Sequence, residues 1–146
     1  MGKILIIMTL YWITNAEYNE HGMQITLKNG KIVTLSKSHK SCDYFKGLIN
    51  NSLIRKHPIG LLIYEDNEIL EVKRADQDMV EKIIEKNKET LAIYFSGHDG
   101  IFSLARNHPH FNEIYELLEK SRSNSQRIWF ITELPSLDII DVEIAK

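Results

Sequence analysis

A chain of 146 residues is long enough for one ordinary domain or for two very small ones, and it can bury a core. Its 43% hydrophobic and 26% charged residues exclude a disordered, collagen-like or coiled-coil protein. The formal net charge is only −2, and the single cysteine, Cys42, excludes an internal disulfide and a thiolate metal cluster, so the composition favours a soluble, cytoplasmic protein.

The longest apolar run, residues 4–13, is about half as long as a membrane-spanning helix needs to be. The run is rich in isoleucine and aromatic residues, which favour β-structure. We therefore expect a buried N-terminal strand here and no interaction with a membrane.

The chain then shows an internal repeat. With Gly30 aligned on Gly100 and one residue deleted, residues 32–39 match residues 101–108 in physical type at six of eight positions. The same offset pairs residues of the next segment, and after one further gap the match continues to residue 142. Agreement over several consecutive elements, with only two single-residue gaps, argues against a chance similarity.

Each copy has the pattern of a hairpin, a helix and a second hairpin. Asn29-Gly30 and Asp99-Gly100 tolerate the positive φ angles of a tight turn, so each should join two strands. A helix with an apolar face should follow His39 and His108. The other expected strands are 23–27, 60–64 and 69–73 in the first copy, and 91–95, 128–132 and 137–144 in the second.

Six apolar side chains on these two helices are predicted to be core residues: Phe45, Leu48, Ile49, Ile114, Leu117 and Leu118. Between the copies, residues 76–88 have the spacing of an amphipathic helix. Asp76 would cap this helix, and residues such as Val80 and Ile83 would form its apolar stripe.

The sequence therefore predicts an α+β fold of duplicated ββαββ units joined by a connecting helix, with a mostly antiparallel sheet and an extra N-terminal strand. Residues 1–146 should form a single compact unit with pseudo-repeats at about 23–74 and 91–144 and a connecting helix at 76–88. A copy of about 50 residues buries too little surface to be comfortably stable alone. The copies should therefore share one core or pair about a pseudo-twofold axis.

The six histidines do not form a metal-binding pattern. If Asp99-Gly100 is a hairpin turn, the returning strand separates His98 from His108 by about 17 Å. Cys42 matches Phe111 in the repeat, which indicates a core position rather than a nucleophile. The chain also has no Gly-x-Ser-x-Gly elbow and no glycine-rich phosphate loop. We predict no metal site and no cofactor.

Neighbouring acidic residues give little sign of acid–base catalysis. Asp76 and Asp78 fall in the predicted capping turn, and Asp138 and Asp141 fall in a predicted strand. We interpret both pairs as solvated surface residues.

His39 and His108 hold equivalent positions, each at a strand-to-helix junction. In the structural interpretation, the imidazole or a neighbouring side chain satisfies exposed amides at the start of the helix. In the functional interpretation, Lys37 and Arg106 help the helix N-terminus to bind a phosphate or a carboxylate. A small hydrolase or nuclease would use either histidine as its general base.

Residues 28–57 carry seven Lys and Arg against one acid, Asp43, a local charge of +6. Such a block can meet an acidic protein or follow a phosphate backbone, but few aromatic side chains are available there to stack on bases. We therefore expect a protein-binding or regulatory module rather than an enzyme, with an acidic partner or a homo-oligomer. Nucleic-acid binding and hydrolysis are the alternatives. The predicted binding residues are Lys37, His39, Lys40, Lys46, Arg55, Lys56, Arg106 and His108.

Overall fold

The computed structural model describes residues 4–146, and the chain divides into two compact units between Ala75 and Asp76. Unit 1 comprises strands β1 (Leu5–Tyr11), β2 (Ile13–Asn19), β3 (Gly22–Leu27) and β4 (Ile32–Ser36), helix α1 (Cys42–Arg55), and strands β5 (Ile59–Tyr64) and β6 (Ile69–Arg74). Unit 2 comprises strands β7 (Asp76–Asp78), β8 (Val80–Glu85), β9 (Thr90–Phe95) and β10 (Phe102–Ala105), helix α2 (Phe111–Asn124), and strands β11 (Ile128–Glu133) and β12 (Asp138–Ile144).

The two units have the same order of elements and the same antiparallel strand pairings. In unit 1, β1 pairs with β5, β5 with β6, β2 with β3 and β3 with β4. In unit 2, β7 pairs with β11, β11 with β12, β8 with β9 and β9 with β10. The one parallel contact also recurs, at Thr34–Glu68 in unit 1 and at Ser103–Asp138 in unit 2. The predicted α+β fold with duplicated ββαββ units is therefore present, and two further strands precede each copy.

The strands of each unit curl around a core. In unit 2 the strand order is β7-β11-β12-β10-β9-β8, yet only Met79 separates the two edge strands β7 and β8 along the chain. The two edges of this sheet must therefore meet. Met79 forms the corner between β7 and β8, and its carbonyl accepts a hydrogen bond from the Ser96 amide at 2.9 Å. In unit 1, Trp12 forms the corresponding corner between β1 and β2, and its carbonyl accepts from the Lys28 amide at 2.8 Å.

Each unit has its own hydrophobic core. Fully buried core residues of unit 1 include Ile25, Leu35, Ile49 and Leu61. Those of unit 2 include Ile93, Leu104, Leu118 and Phe130. The structure thus has two cores, where the sequence predicts either a shared core or pairing of the copies about a pseudo-twofold axis. The reason is that each unit is larger than the predicted copy, because β1 and β2, or β7 and β8, complete it.

The two helices bury equivalent side chains. The buried residues with counterparts in both helices are Phe45, Ile49 and Ser52 in α1 and Ile114, Leu118 and Ser121 in α2. Cys42 is buried as predicted. Leu48 and Leu117 pack against the cores but are only partly buried. The core prediction is therefore confirmed for four of the six helix residues and holds in part for the other two.

The predicted connecting helix at 76–88 is wrong, because the segment forms strands β7 and β8. The register of β8 against β9 shifts between Val80 and Lys82. This bulge lets Val80 and Ile83, three residues apart, both pack on the core of unit 2. The spacing of Val80 and Ile83 is therefore the spacing expected for the apolar face of a helix, although the segment is a strand. The single compact unit expected over 1–146 is likewise replaced by two units that meet in sequence at Ala75.

Candidate functional site

His39 and His108 make the same two hydrogen bonds in their respective units. Nδ1 of His39 accepts from the Ser41 amide at 3.0 Å, and its Nε2 lies 2.8 Å from the Leu70 carbonyl oxygen. Nδ1 of His108 accepts from the His110 amide at 2.9 Å, and its Nε2 lies 2.7 Å from the carbonyl oxygen of Ile140. Each imidazole therefore ties the start of a helix to the last strand of its unit.

These bonds determine the tautomer of both rings. An amide can only donate and a carbonyl can only accept, so Nδ1 carries the lone pair and Nε2 carries the hydrogen. Both nitrogens of each ring are occupied by backbone groups, which leaves neither histidine a nitrogen to act as a general base. The structural interpretation of His39 and His108 accounts for every polar atom of these rings.

Arg106 and Lys37, the cations predicted to assist these histidines, differ in their surroundings. Arg106 lies 3.7 Å from a Glu85 carboxylate oxygen, and its guanidinium lies over the Phe111 ring. It also lines a cavity of about 550 Å³ that includes the acidic Glu89. Lys37 is exposed. The two junctions therefore do not present the same charge to a ligand.

The predicted basic residues of unit 1 do not lie at one place. Helix α1 has 14 residues and is about 20 Å long, so Lys40 before its start and Lys56 after its end are far apart. Lys46 lies between them, 3.7 Å from an Asp43 carboxylate oxygen and with its Nζ 5.2 Å from the centre of the Tyr18 ring. No ion pair involves Lys40, Arg55 or Lys56 among residues 4–146. The cations therefore line the length of α1.

The outer face of α1 carries two exposed apolar side chains. Tyr44 is 67% exposed and Ile54 is 77% exposed, and a Cβ added to Gly47 between them would meet no atom within 4 Å. These residues and Asn51 follow the spacing i, i+3, i+7, i+10, which places them along one side of a helix. We call Tyr44, Gly47, Asn51 and Ile54 the α1 outer face.

The corresponding face of α2 is polar. Its residues at the same positions are Glu113, Glu116, Lys120 and Ser123, all of them exposed. The two helices therefore share their buried side chains and differ in what they present to solvent. Sequence reasoning used the charges of this region but did not identify Tyr44 and Ile54 as part of a binding surface.

Sequence reasoning also missed a pair of side chains in unit 2. His98 Nδ1 lies 2.5 Å from Asp78 Oδ2. The same carboxylate accepts the Met79 amide at 2.7 Å and the Gly97 amide at 2.9 Å. Burial of Asp78 by itself raises the pKa of the carboxyl group, but the three hydrogen bonds and the nearby imidazole outweigh burial and hold the pKa below its ordinary value. Asp78 is buried, so its interpretation as a solvated residue is wrong.

Among residues 4–146, no three His, Cys, Asp or Glu side chains are grouped as metal ligands. Within the same residues, neither helix is long and apolar enough to cross a membrane. No protein-family model, no curated protein and no solved structure matches the chain.

Proposed function

We propose that the protein is a binding module that docks a protein partner on the α1 outer face. The partner presents an apolar patch with acidic residues around it. The observation that carries this proposal is the exposure of Tyr44 and Ile54 on a helix whose flanking cations Lys40, Arg55 and Lys56 form no ion pair within the described chain.

The comparison with α2 supports a role for these side chains in binding. The fold needs the buried residues of a helix in this position, and both helices supply them. The fold does not need Tyr44 and Ile54 on the outside, because α2 occupies the same place with Glu113 and Ser123. Exposed aromatic and aliphatic side chains lose contact with water when a partner covers them, which contributes to binding free energy.

The cations of unit 1 would assist the encounter. Lys40, Arg55 and Lys56 are exposed, and each lies within or next to α1. Charges at the rim of an interface mainly raise the association rate, whereas buried apolar contacts slow dissociation. An acidic partner would therefore be steered to α1 by the cations and held by the apolar side chains.

The test is a comparison of two matched positions by photocrosslinking in cells. A photoreactive benzoylphenylalanine replaces Tyr44 in one variant and Glu113, its counterpart on α2, in the other. We expect an adduct with an acidic protein from position 44 and none from position 113. The purified partner should then bind the unmodified chain, and Tyr44→Glu together with Ile54→Glu should weaken the affinity at least about tenfold.

Charge reversal tests the role of the cations. Lys40→Glu with Lys46→Glu should slow association with that partner at low salt by about tenfold and leave the fold intact. Lys120→Glu on α2 is the matched control and should change the association rate little. Equal adducts at positions 44 and 113 would overturn the proposal. So would a crosslink to a second copy of this chain, or to a nucleic acid whose binding falls steeply with salt.

A further inference from the structure

We infer that Asp78 and His98 form a second site, in unit 2, where His98 acts as a general base in the hydrolysis of a neutral ester. This site is independent of the α1 outer face, which belongs to unit 1.

The hydrogen bonds around His98 leave one nitrogen available. Asp78 Oδ2 accepts the hydrogen of His98 Nδ1, so in the neutral imidazole Nε2 carries the lone pair. No hydrogen bond to Nε2 occurs within the described residues, and 35% of the His98 side chain is exposed to solvent. A carboxylate that holds Nδ1 while Nε2 faces a ligand is the arrangement that orients a catalytic imidazole. His39 and His108 lack this free nitrogen.

The backbone around Asp78 is built to hold the carboxylate in place. The Met79 and Gly97 amides donate to its two oxygens, and the side chain is only 5% exposed. A Cβ at position 97 would lie 3.1 Å from Asp78 Oδ2, so glycine allows the loop to approach the carboxylate this closely. The low pKa of Asp78 keeps the carboxylate ionised at neutral pH.

The fold does not require this pair, because unit 1 has the same corner without it. Asp78 pairs with Ile128 in unit 2, and Tyr11 pairs with the corresponding Ile59 in unit 1. The loop that carries His98, residues 96–101, is also two residues longer than its counterpart between β3 and β4, residues 28–31. An acid and a histidine thus occur together at this corner in one unit only, whereas the histidine bonds at the helix starts occur in both.

The surroundings of His98 indicate the class of substrate. The ring lies over the apolar core, with the Phe130 ring centre at 5.5 Å and those of Phe95 and Phe102 at 6.3 Å. Its neighbours Asp78 and Asp99 are acidic, which disfavours a phosphate or another anion. A neutral ester with an apolar group fits both observations.

The proposed step uses water as the only co-reactant. Nε2 of His98 takes a proton from a water molecule as the water oxygen bonds to the carbonyl carbon of the ester. The bond from that carbon to the alkoxy oxygen then breaks, and the imidazolium returns its proton to the departing oxygen. The products are a carboxylic acid and an alcohol, and His98 is regenerated.

The test measures hydrolysis of 4-nitrophenyl acetate, a small neutral ester, by the full chain. His98→Gln is the decisive variant, because the glutamine amide can still donate to Asp78 and hold the loop but cannot accept a proton. We expect this variant to lose at least about tenfold in rate per mole of protein. His21→Gln is the matched control and should change the rate little, because the His21 side chain is 81% exposed and its one ion pair within residues 4–146 is with the exposed Glu20.

Asp78→Asn tests the positioning role of the carboxylate. We expect a loss of rate comparable to that of His98→Gln, with partial recovery in Asp78→Glu, while thermal unfolding identifies any variant that does not fold. If Asp78→Asn is unfolded, the rates of wild type, His98→Gln and His21→Gln still test whether His98 is the general base. A folded His98→Gln with a rate within about twofold of wild type would overturn the inference. A loss of equal size in His21→Gln would overturn it as well.

Discussion

Ser52 and Ser121 are polar residues in the buried faces of the two helices, and both use their hydroxyl groups. Ser121 Oγ donates to the Gln126 carbonyl at 2.6 Å and accepts the Val80 amide at 2.9 Å. Ser52 Oγ donates to the His57 carbonyl at 2.7 Å. These hydroxyls tie the end of each helix to the chain that follows it, and Ser121 also holds the first residue of β8.

Replacing Ser121 with alanine should therefore destabilise the protein more than replacing Ser52. Ser121→Ala leaves the buried Val80 amide without its acceptor and the Gln126 carbonyl without this donor, which should lower the free energy of unfolding by about 1–3 kcal/mol. Ser52→Ala removes a single hydrogen bond of the described structure and should cost about 1 kcal/mol. Denaturant unfolding of both variants checks the order. Equal losses, or a larger loss for Ser52→Ala, would contradict it.

Single residues also show where sequence reasoning reaches its limit. The repeat identified His39 and His108 as equivalent, and their hydrogen bonds are equivalent. The Asp78–His98 pair could not be found in this way, because the repeat has no such pair in the first copy. Asp78 and His98 lie 20 residues apart in the sequence. They meet because β8 pairs with β9, which brings the corner between β7 and β8 beside the β9–β10 loop.

Among the elements, both helices and the hairpin strands of each copy could be predicted, since their patterns are strong. The three strands β2, β7 and β8 show why others were harder. β1 is apolar and was expected, but β2 is mostly exposed and pairs only with β3, so its sequence lacks the alternation of a half-buried strand. β7 has three residues, and β8 contains the bulge that imitates a helical spacing.

The different burial of two neighbouring residues of α1, Ile49 and Leu48, gives a graded test of core packing. Ile49→Ala removes a fully buried side chain of α1 and should lower the free energy of unfolding by about 2–5 kcal/mol. Leu48→Ala removes a neighbour that is only partly buried and should cost less. Chemical denaturation measures both losses. A Leu48→Ala loss as large as that of Ile49→Ala would show that the burial of α1 is misassigned.

Across the whole molecule, the charges and the cores divide between the two units. Residues 1–75 carry ten Lys and Arg against seven Asp and Glu, a formal charge of +3. Residues 76–146 carry eight against thirteen, a formal charge of −5. The net charge of −2 therefore conceals a basic unit that holds the α1 outer face and an acidic unit that holds Asp78 and His98. The two units therefore have similar cores but different surfaces. The proposed docking site lies on the surface of unit 1, and the proposed hydrolytic site lies on that of unit 2.

Two separate cores predict that unit 2 folds without unit 1. Residues 76–146 contain a complete sheet, the helix that packs on it and a hydrophobic core drawn from this unit alone. Expressed alone, this segment should unfold in one cooperative transition and show near-ultraviolet circular dichroism from packed aromatic rings. Phe130→Ala provides the control, because Phe130 is fully buried and stacks on Phe95, and its loss should cost about 3–5 kcal/mol and abolish the transition in a domain this small. A gradual, non-cooperative transition of the unmodified segment would show instead that its core depends on residues 1–75.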